Sequence, residues 1–153
     1  MDAQDFIELI GPAAQASARD SGVPASFTVA EAALESGWGE SLLARQGRNL
    51  FGVKADPAWQ GDVLMINTRE YLHGTWVMVP ARWRKYDDWQ DCMDDHAAFL
   101  HQNRRYVPCF ECTTGEAFAT AVAQAGYATD PDYAAKIISI IRQHRLTDLD
   151  GSG

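Results

Sequence analysis

Apolar residues recur at helical spacing along most of this chain and change to strand-like alternation only once, between residues 62 and 86. Phe6, Ile7 and Ile10 set the inward stripe of a first helix over residues 3–20, disturbed at Pro12. Ser21-Gly-Val-Pro24 reads as a turn. Ser26 is placed to cap a second helix, expected from Phe27 to Ser36. A short helical turn from Glu40 to Gln46 stops at Gly47, and the stretch from Asn49 to Lys54 reads as irregular.

Residues 62–86 are enriched in Val, Ile, Thr, Tyr and Trp. They predict two strands, Val63 to Leu72 and Trp76 to Tyr86, joined around His73-Gly-Thr75. Pro80 marks the second as an edge or bulged strand. Helix returns from Asp88 to Asn103, with Trp89, Cys92, Met93, His96 and Leu100 on one stripe. Thr113-x-x-Glu116 has the form of a capping box ahead of Phe118, Ala121, Val122 and Ala125, and Gly126 ends that helix. Asp130 and Pro131 are read as the start of a last helix carrying Ile137, Ile138, Ile141 and His144 inward. The sum is an α+β arrangement, a helical body interrupted by one β-hairpin.

At 153 residues the chain fits one domain with a substantial core. Residues 1–148 are taken as that domain, and 149–153, ending Gly-Ser-Gly, as a flexible tail. A formal charge of −8 argues against nucleic acid as a partner, and no apolar run is long enough to span a membrane. The first residues show no basic leader, so no signal peptide is expected. Cys109-x2-Cys112 has metal-ligand spacing, but no second ligand pair accompanies it; free thiols are the expectation for these and for Cys92. No metal or organic cofactor is expected, and the chain is expected to be a monomer.

Candidate chemistry begins in Ala30-Glu-Ala-Ala-Leu-Glu-Ser-Gly-Trp-Gly39. Glu31 and Glu35 fall four residues apart, on one face of an amphipathic helix and one turn from each other. A carboxyl group at the end of a buried helix, near the Trp38 indole, is placed to have a raised pKa, as a general acid requires. Periodicity leaves the two glutamates equivalent. Glu70, near the end of the first predicted strand, supplies a carboxylate from the hairpin. A carboxylate on the body facing one on the hairpin suits glycoside cleavage: one protonates the leaving oxygen, the other activates water, attacks, or stabilises positive charge. Asp62, Asp87 and Asp88 are rivals for the second place.

Three segments carry a resemblance: Ala33-Leu-Glu-Ser-Gly-Trp-Gly39, Asn49-Leu-Phe-Gly-Val-Lys54 and Gly126-Tyr-Ala-Thr-Asp-Pro-Asp-Tyr-Ala-Ala-Lys-Ile137. In this order they resemble glycoside hydrolase family 73, which includes the glucosaminidase domains of flagellar rod-assembly proteins, autolysins and some phage endolysins. The resemblance implies a lysozyme-like fold with a cleft between a helical lobe and a small hairpin lobe. It also implies hydrolysis of the β-1,4 glycan strand of peptidoglycan after N-acetylglucosamine, by an enzyme made in the cytoplasm and acting on the cell wall after release or export. A lytic transglycosylase, a muramidase and a non-catalytic wall-binding module are the alternatives.

Carried over residue by residue, Glu35 falls on the family's general acid and Glu70 in its hairpin carboxylate region. Tyr127 matches a tyrosine lining the catalytic centre. Asn49, Phe51, Gly52, Lys54 and Tyr133 fall in segments expected to bind substrate, Phe51 offering a stacking face. One position departs from the pattern. At Glu31 the family often carries Gln, and a hydrogen bond to backbone or arginine is expected for this glutamate.

Overall fold

Ten of the twelve residues of helix α2 (Ala25–Ser36) are buried, so this helix is the axle of the fold rather than an amphipathic surface helix. Its run of small residues permits this: Ala30, Ala32 and Ala33 let neighbours approach on every side. The computed structural model describes residues 1–151; Ser152 and Gly153, the end of the expected tail, lie outside the described residues. Around α2 pack α1 (Ala3–Ser21), α5 (Gly115–Gln124), α6 (Tyr133–Gln143) and a 3-10 helix over Leu146–Asp150. Helix α4 (Trp89–Gln102) lies against α1, and a second 3-10 helix, Arg104–Glu111, connects it to α5. Phe6, Phe27, Met93, Phe118, Ile137 and Ile141 are among the fully buried side chains that these elements share.

The hairpin is where the sequence placed it, as β1 (Asp62–Leu72) and β2 (Thr75–Lys85) in antiparallel register, with Glu70 opposite Val77. Its connection is tighter than expected. Leu72 pairs with Thr75, leaving His73 and Gly74 as a two-residue turn, both at positive φ. Arg84 N donates to Val53 O and Ala55 N donates to Arg82 O, so even-numbered residues of β2 turn their backbone groups away from β1. Pro80 shares that parity, and its missing N–H falls on the open edge. The hairpin is anchored at its base beside α3 (Leu42–Gly47), where Tyr86 N donates to Gly47 O.

Several caps differ from the sequence reading. Helix α1 runs through Pro12 without a break. Ser26 lies inside α2 and is held by Asp150: its N–H donates to Oδ1 at 2.9 Å and its hydroxyl to Oδ2. Residues 149 and 150, expected in a loose tail, are therefore structural, with Leu149 packed on the core. A Cβ at Gly115 would meet the Ser26 hydroxyl, so only glycine lets α5 start this close to α2. Thr114, not Thr113, caps α5 by accepting from Ala117 N, and Glu116 pairs with Arg142 instead of closing a capping box. Asp130 accepts from Asp132 N, and α6 begins two residues later than Pro131.

Candidate active site

Helix α2 ends at Gly37, whose left-handed backbone (φ 58°) stops it two residues after Glu35. Trp38 follows, also at φ 58°. Its indole packs edge-on against Phe6 and His144, at 5.7 Å and 4.8 Å between ring centroids, and does not line the cleft. The turn leaves Glu35 open to a cleft of about 750 Å³. Phe51, Gly52 and Val53 form one part of its wall, with Arg84 and Asp95 beside them. His96 and Phe99 of α4 form another, and Tyr127 to Asp130, Tyr133 and Lys136 complete it. The Glu35 carboxyl is held above its ordinary pKa, first by the desolvation that these walls impose and then by the charge of Glu31.

The two glutamates, equivalent by spacing, differ by environment. Glu31 is fully buried. Tyr127 donates to its Oε1 at 2.7 Å, Tyr133 donates to Oε2, and His96 Nε2 lies 2.7 Å from Oε1. The expected backbone or arginine partner is not what Glu31 has. Burial beside this carboxylate pushes both phenols well above their ordinary pKa, so they serve as donors, not phenolates. The His96 ring is stacked on Phe51, 3.9 Å between centroids, and lies near-parallel to Phe27 at 6.5 Å; its Nδ1 is buried without a hydrogen-bond partner.

The other expected site residues separate into two groups. Phe51, Gly52, Tyr127 and Tyr133 join Glu35 at the cleft. Asn49 does not: it is buried, its amide donates to Val53 O and Arg84 O, and its Oδ1 accepts from Val53 N. With these groups occupied, it shapes the loop and ties it to the hairpin. Lys54 and Glu70 also lie outside the cleft lining, paired with each other at 3.9 Å. Asp62 and Asp87 border a separate concavity, and Asp88 caps α4 through Asp91 N. Trp59, Trp76 and Trp83 stand outside the lining.

Two carboxylates that the sequence reading passed over do line the cleft, and both are engaged. Asp95 accepts from Arg84 at 2.8 Å and from the Tyr86 hydroxyl at 2.5 Å. Asp130 is paired with Lys136 at 2.7 Å. His96 was the main omission. It sits on the apolar stripe of α4 and reads there as core; the signal that it is more appears only once Glu31 is seen beside it. The three cysteines are free, and burial raises the Cys92 thiol to about 12.

The family model described as mannosyl-glycoprotein endo-beta-N-acetylglucosaminidase, the glucosaminidase model, matches residues 11–146. The chain belongs to the glucosaminidase family. Within it, the peptidoglycan hydrolase FlgJ of Salmonella typhimurium is 40% identical over 146 residues, covering 93% of this chain and 46% of the relative. The exo-glucosaminidase LytG of Bacillus subtilis is 38% identical over 152 residues, covering 96% of this chain and 53% of that protein. The chain thus spans about half the length of the curated relatives it matches. The C-terminally truncated glycoside hydrolase domain of Salmonella typhimurium FlgJ superposes with a TM-score of 0.84 at 40% identity, covering 94% of this chain and 98% of that one. The lysozyme-like α+β fold expected of a glucosaminidase domain is the fold observed.

Proposed function

We propose that this domain is an endo-β-N-acetylglucosaminidase that cleaves the β-1,4 glycan strand of peptidoglycan, with Glu35 as general acid. The observation that carries the reading is the position of Glu35: at the terminus of the buried helix, open to the cleft, with its pKa raised by burial and by Glu31. A carboxyl so placed retains its proton to higher pH than an ordinary glutamate and can deliver it to the glycosidic oxygen as the bond breaks. Tyr127 and Tyr133 both border the cleft with their hydroxyls directed to Glu31; the half-buried ring of Tyr127 is available to a sugar, whereas Tyr133 is 2% exposed and serves from behind. Phe51 adds an aromatic edge, and Gly52 lets a sugar approach the backbone.

The second catalytic group is assigned to Glu70. Asp95 and Asp130, the other carboxylates at the cleft, are neutralised by Arg84 and Lys136. Glu70 sits on the hairpin opposite Val77, outside the cleft lining, and pairs with Lys54 at 3.9 Å; its assignment rests on its being a hairpin carboxylate. A wall polymer as substrate puts the site of action at the cell wall, and the domain is proposed to act there as a monomer. No helix among the described residues is long and apolar enough to cross a membrane. Turbidity loss of purified cell walls tests the assignment. Glu35→Gln is expected to abolish lysis while the protein stays folded, and lysis at the unsubstituted rate would refute it.

A further inference from the structure

Glu31 is buried without a cation of its own. Among the described residues its partners are two phenols and one imidazole: Tyr127 and His96 at Oε1, Tyr133 at Oε2. An imidazolium would bury an Nδ1–H with no acceptor, whereas the tautomer carrying hydrogen on Nε2 donates to Glu31 and leaves only a lone pair unmatched at Nδ1. The neighbouring rings of Phe51 and Phe27, near-parallel to His96, offer that nitrogen no better partner. Three hydrogen bonds converge on the Glu31 carboxyl, and no Arg or Lys side chain among the described residues pairs with it.

Glu35 follows one turn later on the same face of α2. We propose that Glu31 is a positioning residue whose caged carboxylate holds Glu35 in its protonated, proton-donating form between turnovers. The inference rests on Glu35 being the general acid. The like charge of Glu31 is one of the two causes that raise the Glu35 pKa.

The other charged groups around the cleft do not substitute for Glu31. From α6 come Lys136 and the phenol of Tyr133; from the segment before it, Asp130 and Tyr127. Lys136 is paired with Asp130 at 2.7 Å. From α4 come His96 and Asp95, and from β2 Arg84, which is bound to Asp95 at 2.8 Å. Each cation that lines the cleft has its own carboxylate; beyond the lining, from the 3-10 helix Arg104–Glu111, Arg105 lies over the ring of Tyr106, whose phenol is raised first by burial and in part by the charge of Glu31.

The pH dependence of kcat/KM tests this, because its alkaline limb reports loss of the proton from the free enzyme's acid. Glu31→Gln keeps the shape: the amide oxygen can take the place of Oε1, and the amide N–H can donate to the Tyr133 oxygen. Its alkaline limb is expected to move to lower pH than that of the unsubstituted protein, because the like charge beside Glu35 is gone. Glu31→Asp retains the charge while disturbing the hydrogen bonds, and its limb is expected to stay near the original. A structural role alone would lower the rates of both variants without moving the limb of either, and superimposable limbs for Glu31→Gln and the unsubstituted protein overturn the proposal. A 13C titration of the Glu35 carboxyl gives the same comparison without activity, in Glu31→Gln or, should that variant not fold, in Glu31→Gln with Tyr133→Phe. A Glu35 pKa unchanged by loss of the Glu31 charge overturns the inference, whereas cleavage surviving in Glu35→Gln overturns the assignment of the acid.

Discussion

Phe51 lies flat on the imidazole of His96, with ring centroids 3.9 Å apart and planes 15° from parallel. One face of the phenyl ring is therefore spent on the protein, and only its rim and opposite face are free for a sugar. Phe51→Ala removes both the stacking surface and the cover over His96. It is expected to raise KM for glycan strands more than it lowers kcat, and to cost about 2 kcal/mol of stability, less than truncation of a fully buried Phe. Steady-state kinetics and thermal unfolding check the two parts separately.

Tyr133 and Tyr127 donate to different oxygens of Glu31 and are not equivalent. Tyr133→Phe leaves Oε2 with no donor, whereas Tyr127→Phe leaves Oε1 with His96. A buried acceptor deprived of its only partner costs about 1–3 kcal/mol. Tyr133→Phe is expected to be the more destabilising of the two in urea denaturation. Equal losses would show that the His96 contact does not compensate at Oε1.

Asp150 binds both the N–H and the hydroxyl of Ser26 at the start of α2, in place of the side-chain cap that Pro24 does not supply. Asp150→Ala is expected to cost about 1 kcal/mol, the usual loss for a helix cap. Guanidinium unfolding of the variant measures it, and a stability equal to that of the original chain would contradict the capping role.

The hairpin and the apolar stripes of α4 and α6 were legible because their signals are local: alternation, turn residues and helical spacing. The caps were not, because they depend on distant chain. Nothing near Ser26 shows that Asp150, 124 residues away, returns to it. Thr113 and Thr114 are adjacent candidates that differ only in which one the chain turns at. The site divides the same way. Glu35, Phe51 and Tyr127 were readable from motifs, but spacing alone could not show that Glu31 is caged by Tyr127 and Tyr133, 96 and 102 residues later. Asn49 sits in a motif of cleft residues and acts behind them, since three backbone groups occupy its amide.

Glu70, on the hairpin, pairs with Lys54 and lies outside the cleft lining. If it serves as the second carboxylate, Glu70→Gln lowers kcat by about 10²-fold or more. A loss of less than about tenfold, below the usual range for acid–base groups, assigns that role to the substrate's own acetamido group. Hydrolysis rates on defined glycan oligomers decide between these outcomes.

The central claim is that Glu35 protonates the oxygen leaving N-acetylglucosamine and that water completes the cleavage. Mass spectrometry of peptidoglycan digested by the unsubstituted protein and by Glu35→Gln tests it most directly. Muropeptides with reducing N-acetylglucosamine ends, present in the first digest and missing from the second, are the predicted result. Anhydromuramic or reducing N-acetylmuramic ends, or the same products from both proteins, would contradict it.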